Sequence, residues 1–314
     1  MHQVQKFTFI ILACWLGLWA QSTPPPNTPT HMTVTIGHLY GREAPLLTAT
    51  DLSVTQSYEP LPITSLVPLR GERAGLELFI LVDNCSNCEA GSQFDDLRKF
   101  ISSQSPSTKV GVAYIREGRL NVVLNPTPDR KQAVQALNTP TGNKPTSPFL
   151  ALAELIRGWH PNSSRHAVLM ISNGIDPVPG SGPQDLSAEA AIEQSQRSGV
   201  LVYAIYHPSA DYATVNFQRI YSGQIQLAHV AIETGGEAYF LGFGPLPSLS
   251  PFLSDIADHL ANQYLVEFLA KPGEASELQE INVKSKIADV DVTAPSRAWV
   301  AAPDAIDRKP SGAR

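Results

Sequence analysis

The chain has 314 residues, 43% of them hydrophobic and 17% charged, with a formal net charge of -6 and a pI near 5.7. That length and apolar content suffice for one large or two modest domains with a sizeable core. An acidic balance with no Lys/Arg cluster excludes nucleic acid and an anionic membrane surface as the main partner.

Residues 1–22 read as a secretory signal peptide. His2 and Lys6 precede an apolar run from Phe7 to Ala20, polar Gln21 and Ser22 follow, and cleavage is expected after Ala20 or Ser22. The alternative is an uncleaved N-terminal anchor, since the run is borderline in length for a bilayer, and this is the only membrane attachment the sequence offers. Export places the mature chain in a periplasmic or extracellular setting. Of the three cysteines only Cys85 and Cys88 then remain, a CxxC pair free to form a small disulfide in an oxidising compartment.

Residues 23–31 form a Pro-rich linker of extended character. Residues 32–70 read as an N-terminal β segment, with strands at Met32 to Ile36, Leu52 to Thr55 and Leu61 to Leu66, too short to bury a core unaided.

Between residues 74 and 262 strand and helix patterns alternate, the signature of an α/β layered sheet. Leu76 to Asp83 is a nearly continuous apolar run, read as a strand buried on both faces, and Phe94, Leu97 and Ile101 mark the apolar stripe of the helix after it. Lys109 to Arg116 and Leu120 to Leu124 are separated by so short a link that they must form an antiparallel hairpin. Helices are expected over 129–137 and 148–157, a buried strand over 165–172, a helix over 185–198 and a strand over 200–206. A further helix stops at Thr234-Gly235-Gly236, a short strand follows at 238–240, and 249–263 is helical.

Residues 263–301 revert to β, and residues 302–314 form a polar tail expected to be disordered. Neither β flank is self-sufficient. The two are therefore expected to pair with each other, with the α/β domain inserted between them.

The run Phe79 to Asp83 with Cys85 and Asn87, then Lys144-Pro145-Thr146 before a helix, then His166 to Asp176, resembles the core of a von Willebrand factor type A (VWA) domain. The flanks, at Leu46 to Val54 and Gln263 to Phe268, together with Thr234 to Tyr239, resemble the VWA-related proteins common in acidobacteria. The resemblance spans nearly the whole mature chain. It implies a Rossmann-like, mostly parallel sheet with one antiparallel edge strand, inserted in a small antiparallel β unit.

VWA domains hold a divalent cation through Asp-x-Ser-x-Ser on a first loop, a Thr on a second and an Asp on a third. A hard cation such as Mg²⁺ takes oxygen ligands in octahedral array and can accept a partner's carboxylate at an open position. Here Asp83 and Thr146 match, whereas Cys85 and Asn87 stand in place of the serines and Asn173 in place of the third-loop Asp. The site implied by the resemblance (Asp83, Thr146, Asn87 and Asn173) is thus degenerate. It takes either no cofactor or weakly bound Mg²⁺ or Mn²⁺. Read from the residues alone, Asp83, Asn87 and Asn173 instead serve local hydrogen-bond networks, and Asp176 faces solvent.

Cys85-Ser86-Asn87-Cys88 opening a helix also resembles the redox loop of thioredoxin-like proteins, and a helix N-terminus favours a thiolate. The Trp and Gly-Pro that surround that motif are missing, which favours a structural disulfide between Cys85 and Cys88 over an extracytoplasmic thiol-disulfide oxidoreductase. His160, His166, His207, His229 and His259 show no ligand spacing and read as packing or surface residues. No serine lies in a Gly-x-Ser-x-Gly context.

The sequence therefore predicts an exported, non-enzymatic interaction or scaffold module with an unidentified protein ligand. Its partner-binding loops carry Ser86, Lys144, Ser147 and Asp176.

Overall fold

The structure, a computed structural model, describes residues 27–38, 45–83, 91–116, 119–138, 147–160, 162, 164–176, 186–208, 216–240 and 248–303. The expected leader and tail, and the loops carrying Cys85, Ser86, Asn87, Cys88, Lys144 and Thr146, lie outside these residues.

The chain begins in β1 (Thr28–His38), whose first residues fall inside the stretch read as linker. β2 (Leu52–Gln56), β3 (Glu59–Leu61) and β4 (Ile63–Pro68) follow. The single strand expected over 61–66 is thus divided at Pro62, and its halves belong to different sheets. Proline has no N–H to give a ladder, which suits it to the crossing.

β5 (Leu76–Asp83) is buried at every residue, as its apolar run requires. It pairs in parallel with β6 (Thr108–Arg116) and β8 (Arg165–Ser172), and β8 in turn with β9 (Val200–Tyr206). β10 (Ala238–Tyr239) extends the parallel set, and β7 (Arg119–Thr127) closes the other edge antiparallel to β6. The order is β10-β9-β8-β5-β6-β7, the mostly parallel sheet with one antiparallel edge that the sequence predicts.

Helices cover both faces. α1 (Gly91–Ser103), α2 (Arg130–Ala136) and α6 (Ser250–Ala261) pack on Leu78, Ile80 and Val82 of β5. α3 (Pro148–Arg157), α4 (Leu186–Ser198) and α5 (Phe217–Glu233) pack on Phe79 and Leu81. The period of two along β5 thus divides its side chains between two separate cores. Among the described residues no helix is long and apolar enough to cross a membrane.

β11 (Gln263–Ala270), β12 (Glu277–Ser285), β13 (Val290–Thr293) and β14 (Arg297–Val300) complete the chain. With the N-terminal strands they build two four-stranded sheets, β13-β1-β11-β4 and β14-β12-β2-β3. Val34, Ile36, Tyr264 and Phe268 of one sheet share a core with Leu52, Val54, Ile281 and Val300 of the other, so the expected small β unit is a face-to-face sandwich. The expected pairing of the flanks is present as β1 with β11 and β2 with β12.

Candidate functional site

Parallel strands place all their carboxyl ends on one edge of the sheet, where side chains from separate strands can meet. Asp83 ends β5 and is 5% exposed, and Ser172, which ends the adjacent β8, donates its Oγ proton to Asp83 Oδ2 at 2.6 Å. The same Ser172 Oγ accepts from the Gly174 amide at 3.0 Å, and Asn173 Oδ1 accepts from the Ile175 amide at 2.8 Å. The turn after β8 is therefore held by its own side chains, with Gly174 at φ +68°, a left-handed conformation that favours glycine. It packs directly on α5, where a Cβ on either Gly174 or Gly223 would overlap the other segment's backbone.

Asp176 is also 5% exposed, which corrects the expectation that it faces solvent. Its Oδ1 accepts from Ser147 Oγ at 3.2 Å, and Ser147 immediately precedes α3 as its N-cap residue. Helix start and turn therefore cover the carboxylate between them.

The next strand adds His207, whose amide bonds to the Ser172 carbonyl at 2.9 Å. Its ring spans buried Gln93 of α1, with Nε2 2.8 Å from the side-chain amide, and the Pro208 carbonyl, 3.0 Å from Nδ1. Burial pushes the His207 imidazole below the ordinary histidine range.

Of the residues singled out in the sequence, Asp83, Asn173, Ser147 and Asp176 lie along this edge. Ser172 and Gln93 were not singled out, and His207 was read only as a packing or surface residue. The signal for two of them was available, since Ser172 ends one parallel strand and His207 follows the end of the next, and their strands pair at Ser172 with Tyr206.

Asn173 turns its amide oxygen to its own loop, and Asp83 and Asp176 each accept from a serine hydroxyl.

A second cluster lies around β10 and α6. Glu237, Asp255 and His259 bring one ligand atom each to within 4.8 Å of one another, so the three side chains could hold a metal ion. Asp255 and His259 lie one helical turn apart on α6. Tyr239 donates to Asp255 at 2.7 Å, and burial raises the Glu237 carboxyl. Both carboxylates are about half exposed, Glu237 at 48% and Asp255 at 51%.

No family model and no curated protein matches the chain. Similar solved structures include proximal thread matrix protein 1 from the mussel byssus, with TM-score 0.43, 16% identity, and coverage of 60% of this chain and 48% of that one. They also include the vWF domain of the type V pilus tip protein Mfa5 from Porphyromonas gingivalis, with TM-score 0.43, 10% identity and coverage of 58% and 94%. A third is the VWA domain of SpRpn10, with TM-score 0.38, 15% identity and coverage of 57% and 94%. The chain spans about half the length of the mussel protein. Its α/β layer has helices on both faces of a mostly parallel sheet with one antiparallel edge strand.

Proposed function

We propose that the chain is an exported, non-enzymatic protein-interaction module. It engages its partner at the carboxyl edge of the parallel sheet, as a relative of the acidobacterial VWA-related proteins whose cation site has degenerated. The observation that carries this reading is the bond from Ser172 to Asp83: the carboxylate at the cation-ligand position is engaged by a neighbouring strand. An edge held in this way is a rigid platform, and rigid platforms lose little entropy on binding. Cys85 and Cys88 form a structural disulfide in the first loop, and Ser86, Lys144, Ser147 and Asp176 belong to the loops around the platform.

Calorimetric titration of Mg²⁺ and Mn²⁺ into the oxidised and the reduced protein tests the degenerate site. No heat of binding is expected in either state, and micromolar binding would restore a working cation site and overturn this part of the reading. Capture of a partner should weaken when Ser86 and Lys144 are changed to alanine; unchanged capture would remove the edge as the interface.

A further inference from the structure

A groove of about 750 Å³ runs between the sandwich and the amino-terminal end of the parallel sheet, remote from the edge described above. One wall is β1, from Pro29 to Thr33. Five consecutive residues line it, although Thr30 and Met32 turn their side chains into the sandwich. A strand does this when its backbone edge, rather than one of its faces, is open.

The pairing explains the opening. β1 pairs with β11 from Thr28 to Thr35 but with β13 only from Thr35 to His38. After Thr293 the chain leaves this sheet through Pro295 and joins the other as β14. The Ile36 amide bonds to the Asn262 carbonyl, so the alternation of an antiparallel ladder directs even-numbered β1 residues to β11 and odd-numbered ones outward. Thr33 and His31 therefore turn N–H and C=O away from β11, on the side where β14 approaches β1 without a ladder, and Pro29 offers its C=O there.

The surroundings select the occupant. The groove is lined by Arg73, Arg165, Arg197 and Arg297, and by no Asp or Glu among the described residues. Arg197 is paired with Glu193 and lies over the Trp299 ring at 4.4 Å. Arg165 has no carboxylate partner among the described residues; it donates to the Leu260 carbonyl at 2.7 Å and to the Gln263 side chain. Burial pushes its guanidinium down to about 10. Trp159 and Trp299 supply apolar wall.

We propose that this groove binds an extended, carboxylate-bearing segment of a partner protein, which adds to the open edge of β1 as a strand in line with β13. Main-chain hydrogen bonds to His31 and Thr33 hold its backbone, its acidic side chains meet the arginines, and its alternate apolar side chains pack on the tryptophans. A lysine-rich segment meets like charge instead, and a small anion leaves the strand edge unpaired.

The full chain has four tryptophans, Trp15, Trp19, Trp159 and Trp299. With Trp15→Phe and Trp19→Phe, emission reports the groove alone. Titration with a blocked heptapeptide of alternating valine and glutamate should give a saturable change in emission. Affinity should fall at least about tenfold for the peptide N-methylated at alternate residues, for its valine-lysine counterpart, and in Arg297→Glu. Arg73→Glu, outside the sandwich sheets, should weaken binding in the same direction, with an unchanged circular dichroism spectrum verifying the fold. No saturable change up to millimolar peptide, or equal affinity for the N-methylated or lysine peptide, would overturn the proposal.

Discussion

Trp159, just beyond α3, donates its indole N–H to Glu77 Oε2 at 2.9 Å and so ties a helix end to the central strand. Glu77 is 7% exposed and also meets Lys109 at 3.1 Å and His166 at 3.7 Å. One carboxylate thus gathers β5, β6, β8 and the end of α3.

Glu77→Gln keeps the shape and removes the charge. Burial alone would raise the Glu77 carboxyl, but hydrogen bonds from Trp159, Lys109 and Asn162 outweigh it and the net shift is downward. A carboxylate lowered in the folded state contributes stability that is present above the ordinary glutamate range and lost as pH falls through the lower folded value. The substitution should cost about 1–3 kcal/mol in urea unfolding at pH 7 and flatten the acid limb of stability below about pH 4.5.

Gly223→Ala should loosen α5 from the turn after β8. The added Cβ overlaps the Asn173 carbonyl, a backbone group that cannot swing aside. A loss of about 1–3 kcal/mol is expected, seen as a lower thermal midpoint, whereas Ala at exposed Gly71, whose Cβ would meet no atom within 4 Å, bears only its backbone cost. Equal losses at the two positions would contradict the packing argument.

His207 gives the opposite pH limb from a raised histidine. Its folded pKa lies below the unfolded one, so the unfolded chain binds the proton more readily and stability falls as pH drops below about 6.5. His207→Gln should make the thermal midpoint less sensitive to pH between about 7 and 5.

Arg165→Met should weaken the contact between the α/β layer and the sandwich, since it removes the donors to Leu260 and Gln263. Acceptors left without a partner cost about 1–3 kcal/mol. Limited proteolysis near residue 263 should accelerate in the variant.

The parallel sheet was legible because strands buried on both faces have to be apolar throughout, as Leu76 to Asp83 and Val200 to Tyr206 are. β13 was not, because Val290-Asp291-Val292-Thr293 is short and two-sided in polarity, and only its ladder with β1 makes it a strand. The position of Asp83 at a strand end followed from the apolar run before it. Its partner Ser172 is 89 residues away and depends on the register between β5 and β8, which no local pattern encodes. Asp176 misled for the same reason: its polarity suggests solvent, and Ser147 covers it from a separate helix.

β4 and β11 lie side by side, with Tyr264 opposite Pro68 and the Leu69 amide bonded to the Gln263 carbonyl at 2.9 Å. The two chain segments that bound the α/β insertion are thus ladder neighbours, while sandwich contacts such as Ser53 with Lys284 join residues 231 apart in sequence. On a growing nascent chain the first four strands can form only the β2–β3 pair and emerge long before their other partners, β11, β12 and β13, exist. They must wait, apolar faces uncovered, while the inserted layer folds from its own more local contacts and draws its two ends together. The sandwich is then the last part to close, and a chain truncated before residue 263 would release a folded layer trailing unpaired, aggregation-prone strands.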